Sequence, residues 1–197
     1  MKLMAVTDNT RPVKELAEKI IAIKNVIDLV QIREKSKSAS EIVTLLDHLQ
    51  AGGVHKEKII INDRLDIALC MNIPNLHLPE HGLPIKMVKQ LYPNLRVGCS
   101  VHSFLQGKEA QRDGADYVLF GHCFATNSKK GIPPRGIDPI LQMKKELSIP
   151  VYAIGGISLD NISSVQMAQA DGIAVMSSIF AADEPYLIAK SFRAALL

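Results

Sequence analysis

Short aliphatic runs alternate with amphipathic stretches along the whole 197-residue chain, with no linker or low-complexity break between them. A chain that keeps this rhythm builds βα units on a parallel sheet. The candidate strands cover residues 3–6, 28–32, 59–61, 76–78, 95–99, 117–120, 151–154 and 172–175. After the first, Val13, Leu16, Ala17, Ile20 and Ile21 recur at helical spacing on one face. After the second, Ser38 and Glu41 form a capping box ahead of Ile42, Leu45, Leu46 and Leu49. Further helices are expected over residues 64–71, 85–91, 104–112, 138–146, 158–168 and 184–196. Eight such units, each roughly 20 to 27 residues long, predict an α/β protein that closes as a (β/α)8 TIM barrel, a single domain over residues 1–197. A doubly wound open sheet is the alternative, but Thr7-Asp8-Asn9-Thr10 after the first strand is no glycine-rich dinucleotide fingerprint.

Composition narrows the partners. Twenty-three Lys and Arg against 20 Asp and Glu leave a formal charge of +3, with no basic stripe and only 5% aromatics. No nucleic-acid partner is expected on that basis. The start, MKLMAVTDNTR, turns polar too soon for a signal peptide or membrane anchor. Three cysteines without CxxC spacing suit a reducing, cytoplasmic setting. Pairing of helical exteriors makes a homo-oligomer an expectation for a small barrel.

In this fold chemistry belongs at the C-terminal ends of the strands. Polar residues gather there: Arg33-Glu34-Lys35, Asn62-Asp63-Arg64, His77 to His81, Ser100 to Ser103, Gly121-His122, Gly155-Gly156 and Ser177-Ser178. Gly155 and Gly156, with Met176 and Ser177, fall where such barrels often bind phosphate through backbone amides, although a tight turn and a helix cap would use the same residues. Arg33 and Lys35 flank Glu34 along an extended segment, so the two cations should share a side and face an anion. Lys129 and Lys130 sit in a long loop from His122 to Gly136 that reads as a lid. His48 and His55 read as surface residues, and no HxH or HExxH spacing supports a metal site. His122, directly after a strand and Gly121, would bring an imidazole to the barrel mouth, where it suits proton transfer.

Several of these segments resemble the thiamin phosphate synthase family. They are Gln31-Ile32-Arg33-Glu34-Lys35, Ile61-Asn62-Asp63-Arg64, Gly98-Cys99-Ser100-Val101-His102-Ser103, Phe120-Gly121 with Phe124, Thr126, Ser128 and Lys129, Ile154-Gly155-Gly156-Ile157, and Asp171 through Ser177. The chain departs from the synthase pattern twice. The segment HLGQxD, whose aspartate shares Mg2+ with the Asn-Asp motif, here reads His77-Leu78-Pro79-Glu80-His81-Gly82, so Gly82 stands in the ligand's place. The Gly-Pro after the sixth strand is Gly121-His122. Both departures are similar to the TenI branch, the thiazole tautomerases.

That resemblance implies a reaction on a carboxythiazole phosphate that bears an exocyclic double bond. The proton at C2 is removed, the exocyclic carbon is protonated, and the ring becomes aromatic without metal or redox cofactor. It implies His122 as base and then acid. Gly155, Gly156, Met176 and Ser177 would hold the phosphate. Arg33, Lys35 and Lys129 would neutralise phosphate or carboxylate, and Asn62, Ser100, Ser103, Thr126 and Ser128 would hydrogen-bond the ring or carboxylate. Two alternatives stay open: a divergent Mg2+-dependent synthase in which Glu80 replaces the missing ligand, and a non-catalytic ligand-binding regulator.

Overall fold

All eight aliphatic runs become strands in the computed structural model, which describes residues 1–197. They are β1 Lys2–Val6, β2 Leu29–Ile32, β3 Ile59–Asn62, β4 Asn75–Leu78, β5 Arg96–Val101, β6 Tyr117–Gly121, β7 Val151–Ile154 and β8 Gly172–Val175. Every neighbouring pair is parallel, and β8 returns to β1, with Met4 opposite both Leu29 and Ala174. The closed barrel has no sheet edge, which rules out the open doubly wound alternative.

The helices are α1 Val13–Ile23, α2 Ala39–Ala51, α3 Leu65–Cys70, α4 Ile85–Leu91, α5 Phe104–Arg112, α6 Asp138–Glu146, α7 Ile162–Met167, α8 Ser177–Phe180 and α9 Pro185–Ala195. The capping box opens α2 as expected, with Ser38 Oγ accepting from Glu41 N at 3.3 Å and Ser38 N donating to Glu41 Oε2 at 2.9 Å. The helix expected from residue 158 begins only at Ile162. The Asn161 side chain holds the preceding residues in a turn, accepting from Ser158 N at 2.9 Å and donating to Gly156 O at 2.8 Å. No helix is long and apolar enough to cross a membrane.

Strand alternation sorts side chains into two layers. Outward residues such as Leu3, Val30, Ile61, Val97, Phe120 and Ile173 pack against Leu16, Ile20, Leu45, Ile140 and Phe192 of the helices. Inward residues Met4, Leu29, Ile60, Tyr117, Leu119, Tyr152 and Ala174 fill the barrel. The same alternation puts Gln31 and His77 inside, and both are buried.

One clasp recurs three times at the N-terminal end of the barrel. Asp28 N donates to Leu3 O and Asp28 Oδ2 accepts from Leu3 N, at 2.9 and 2.7 Å. Asp116 does the same with Val97 and Asp171 with Val151. Arg193, Lys89 and Lys144, respectively, pair with these carboxylates. Each aspartate thereby locks one strand to a neighbour's backbone, away from the functional face.

Candidate active site

Because inward residues alternate, the last inward positions of the strands other than β4 form the floor of a cavity at the C-terminal end of the barrel. That cavity has a volume of about 580 Å³. Arg33, Lys35, Asn62, Ser100, His122, Thr126, Ser128, Lys129, Gly155, Gly156, Met176 and Ser177 all line it. Ser103 does not: it is the N-cap of α5, where its Oγ accepts from Gln106 N at 3.2 Å. The expectation that Ser103 binds the ring or carboxylate is therefore corrected: Ser103 caps α5 outside the cavity lining.

Arg33 and Lys35 reach the cavity while Glu34 between them turns away and is buried. Glu34 Oε1 accepts from Asn9 N at 3.2 Å, and Oε2 pairs with Lys37. The anion between the two cations is thus spent locally, which leaves Arg33 and Lys35 to face an anion in the cavity. Gln31, which the sequence places at the end of the second strand without a site role, also lines the cavity. Its Nε2 donates to Asn62 Oδ1 at 3.0 Å, while its buried Oε1 has no partner.

The turn after β7 needs both glycines. Gly155 has φ +99°, and a Cβ there would fall 2.3 Å from His122 Cβ. Gly156 has φ +66°, and a Cβ there would meet Ala125 O at 2.4 Å. Bare backbone therefore lies directly against His122 and the following loop. Across from it, α8 begins at Ser177 with Met176 as its N-cap, and its first N–H groups lack intrahelical partners.

His122 is 6% exposed and follows the end of β6. Its Nε2 lies 3.2 Å from Ile132 O. A carbonyl oxygen only accepts, so this contact places a hydrogen on Nε2 and favours the tautomer whose lone pair is on Nδ1. The loop that supplies Ile132 is pinned at its base. Cys123 N donates to Ile154 O and Phe124 N to Gly155 O, both at 2.9 Å, while Arg135 N and Gly136 N return to His122 O and Cys123 O at 3.0 and 3.1 Å. Residues 127–135 between these anchors are exposed and carry Ser128 and Lys129 over the cavity.

The remaining histidines divide. His48 and His55 are exposed, as expected. His81 and His102 line the cavity, whereas His77 is buried beneath it. His102 Nδ1 donates to Gly121 O at 2.5 Å, and its Nε2 lies 3.3 Å from Glu80 Oε2. Glu80 Oε1 also accepts from Gln106 Nε2 at 3.4 Å. Glu80, in the cavity lining, thus faces His102 just after β5 and Gln106 of α5. Asp63 has Gly82 beside it, where a Cβ would lie 3.2 Å from Asp63 Oδ1. No cluster of three or more metal-capable side chains forms. Asp63, with Gly82 where a second carboxylate would adjoin it and with Glu80, also in the cavity lining, turned to His102 and Gln106, does not fit an octahedral Mg2+ held by paired carboxylates.

Comparison with known proteins agrees with this architecture. Residues 3–179 match the family profile described as thiamine monophosphate synthase. The thiamine-phosphate synthase of Chloroflexus aurantiacus is 37% identical over 171 residues, covering 84% of this chain and 78% of that protein. The thiamine-phosphate synthase of Chlorobium luteolum is 38% identical over 180 residues, covering 88% and 83%. The thiamine phosphate pyrophosphorylase of Pyrococcus furiosus superposes with a TM-score of 0.83 at 28% identity, covering 99% of this chain and 95% of that one. A 3-hexulose-6-phosphate synthase, at 17% identity and a TM-score of 0.75, shares the fold alone.

Proposed function

The chain belongs to the thiamine monophosphate synthase family, and within that family we propose that it acts as a thiazole tautomerase. It converts the carboxythiazole phosphate with an exocyclic double bond into its aromatic isomer. The observation that carries this reading is the cavity-lining imidazole of His122, whose Nε2–H is held by Ile132 O so that the Nδ1 lone pair is free to accept a proton.

Nδ1 takes the C2 proton. The C2–H electron pair becomes C2=N, the C=N pair moves to close the ring double bond, and the exocyclic C=C pair takes the proton back from the imidazolium. One group serves as base and then acid, and the ring gains aromaticity with no net change in oxidation state. Arg33 and Lys35 neutralise an anionic group of the bound substrate, its phosphate or its carboxylate. The Gly155-Gly156 turn, Met176 and Ser177 receive the phosphate. The shortage of carboxylates around Asp63 is consistent with chemistry that holds no diphosphate leaving group.

The names of the relatives back the coupling reaction of a thiamine-phosphate synthase better than they back the isomerisation, and the second reading stands on them. NMR of the exocyclic substrate in D2O with EDTA, beside a coupling assay with pyrimidine diphosphate, thiazole phosphate and Mg2+, separates the two. The tautomerase reading expects aromatisation in EDTA, and a roughly 10²–10⁴-fold lower kcat with little change in KM for His122→Ala. Coupling without isomerisation would make the chain a synthase. Ligand binding without either reaction would make it a regulator.

A further inference from the structure

Beneath the cavity floor lies a buried chain of polar side chains that the proton transfer does not use. His77 on β4 is 1% exposed. Its Nε2 lies 2.9 Å from Ser100 Oγ, and its Nδ1 lies 3.2 Å from the hydroxyl of Tyr117. Tyr117 reaches this position because Gly98 opposite carries no side chain: a Cβ there would fall 2.0 Å from the ring's Cζ. The Tyr152 ring packs edge-on at 5.5 Å, and the Arg96 guanidinium sits 4.8 Å from the Tyr117 centroid. Ser100 alone of the three borders the cavity.

Burial pushes the His77 imidazole down to about 3, so the ring is neutral near pH 7 and has a single N–H to give. Burial also pushes the Tyr117 phenol up, so it keeps its hydrogen. Two arrangements satisfy the distances. In one, Tyr117 donates to Nδ1, Nε2–H donates to Ser100 Oγ, and the Ser100 hydrogen faces the cavity. In the other, Nδ1–H donates to Tyr117, Ser100 donates back to Nε2, and the phenol hydrogen is left without an acceptor in the closed interior. An orphaned buried donor makes the second arrangement the costlier one.

We propose that His77 and Tyr117 are positioning residues that hold Ser100 as a hydrogen-bond donor into the cavity, reserved for an anionic oxygen at the end of the ligand remote from the phosphate turn. Ser100 on β5 is separated by β6 from the glycine turn after β7, about 10 Å of barrel wall at one strand spacing per step. On the function proposed above, that oxygen belongs to the thiazole carboxylate. The inference rests on that reading for the identity of the ligand, and on the free protein alone for the polarity of the relay.

The test has two arms. In the first, 15N NMR of imidazole-labelled free protein reads the His77 tautomer: the relay expects Nε2 protonated and Nδ1 bare, with that preference lost in Tyr117→Phe. In the second, calorimetry measures Kd for the aromatic carboxythiazole phosphate and for the same thiazole phosphate without its carboxylate. Ser100→Ala should weaken the carboxylated ligand roughly tenfold or more. Tyr117→Phe should weaken it in the wild-type background but add nothing in the Ser100→Ala background, and the decarboxylated ligand should be indifferent to both changes. A wild-type His77 protonated on Nδ1, or additive losses in the double variant, would overturn the relay. Equal losses on both ligands would overturn the carboxylate assignment. If the wild type bound neither thiazole, the proposed function would fail while the tautomer still judged the relay. Should Tyr117→Phe not fold, the wild-type tautomer decides alone.

Discussion

Acid should destabilise this barrel through one histidine. His77 is fully buried, and its imidazole is pushed from 6.5 down to about 3 by desolvation. Above pH 6.5 both the folded and unfolded chains hold it neutral, so it contributes no pH dependence. As the pH falls below 6.5 the unfolded chain takes up a proton that the folded one refuses. Stability is therefore lost progressively between 6.5 and about 3. One proton difference is worth about 1.4 kcal/mol per pH unit, so moving from pH 6.5 to 5.0 removes about 2 kcal/mol. For a chain of this size that lowers Tm by roughly 4 to 8 °C. Urea unfolding at pH 7.5 and 5.0, on wild type and His77→Gln, checks it. The variant pays its own cost at both pH values, so only the change between them matters. A loss on acidification as large in His77→Gln as in wild type would refute the assignment of this window to His77.

Arg33→Ala should raise KM about tenfold to a hundredfold with kcat nearly kept, since a charge-assisted contact to an anion is lost; steady-state kinetics that leave KM unchanged would move the anion elsewhere. Gly155→Ala forces a side chain to φ +99° and a methyl into the space of His122 Cβ. It should cost about 1–3 kcal/mol in thermal unfolding and also lower kcat, and a variant matching wild type in both would contradict the close approach. Asp171→Ala strips the buried Val151 N–H and Lys144 of their acceptor at the far end of the barrel. The expected result is a loss of about 1–3 kcal/mol in chemical unfolding with KM unaltered, and a fully stable variant would show the clasp to be dispensable.

Where the sequence signal is periodic, structure follows it closely. The strands fall within about two residues of the aliphatic runs, because a parallel strand buried on both faces needs an apolar run and little else. The capping box of α2 is equally local and was equally readable. The start of α7 was not, because Asn161 competes with the helix by bonding across its own turn. Ser103 was misassigned for a similar reason: next to the family-like motif, one hydroxyl serves a cavity and another serves a helix end, and only the position on β5 or α5 separates them. The clasps of Asp28, Asp116 and Asp171 carry a recognisable signal, an aspartate just ahead of an apolar strand, that went unread.

Residue types at the strand ends follow from the sequence: two cations on one short segment, paired glycines after the seventh run, an imidazole after the sixth. These are local facts about chain order, and the barrel rule is enough to bring them to one face. Which atom of each is available is a different matter, decided by groups that the folded chain brings against it. His122 Nδ1 is free because Ile132, ten residues on, holds the other nitrogen, and Glu80 faces His102 just after β5 and Gln106 of α5. His77, which reads as one more strand-end histidine, lies under the floor bonded to Tyr117 and Ser100. Hydrogen-bond direction depends on which donors and acceptors closure of the barrel brings together, and only the tertiary structure decides that.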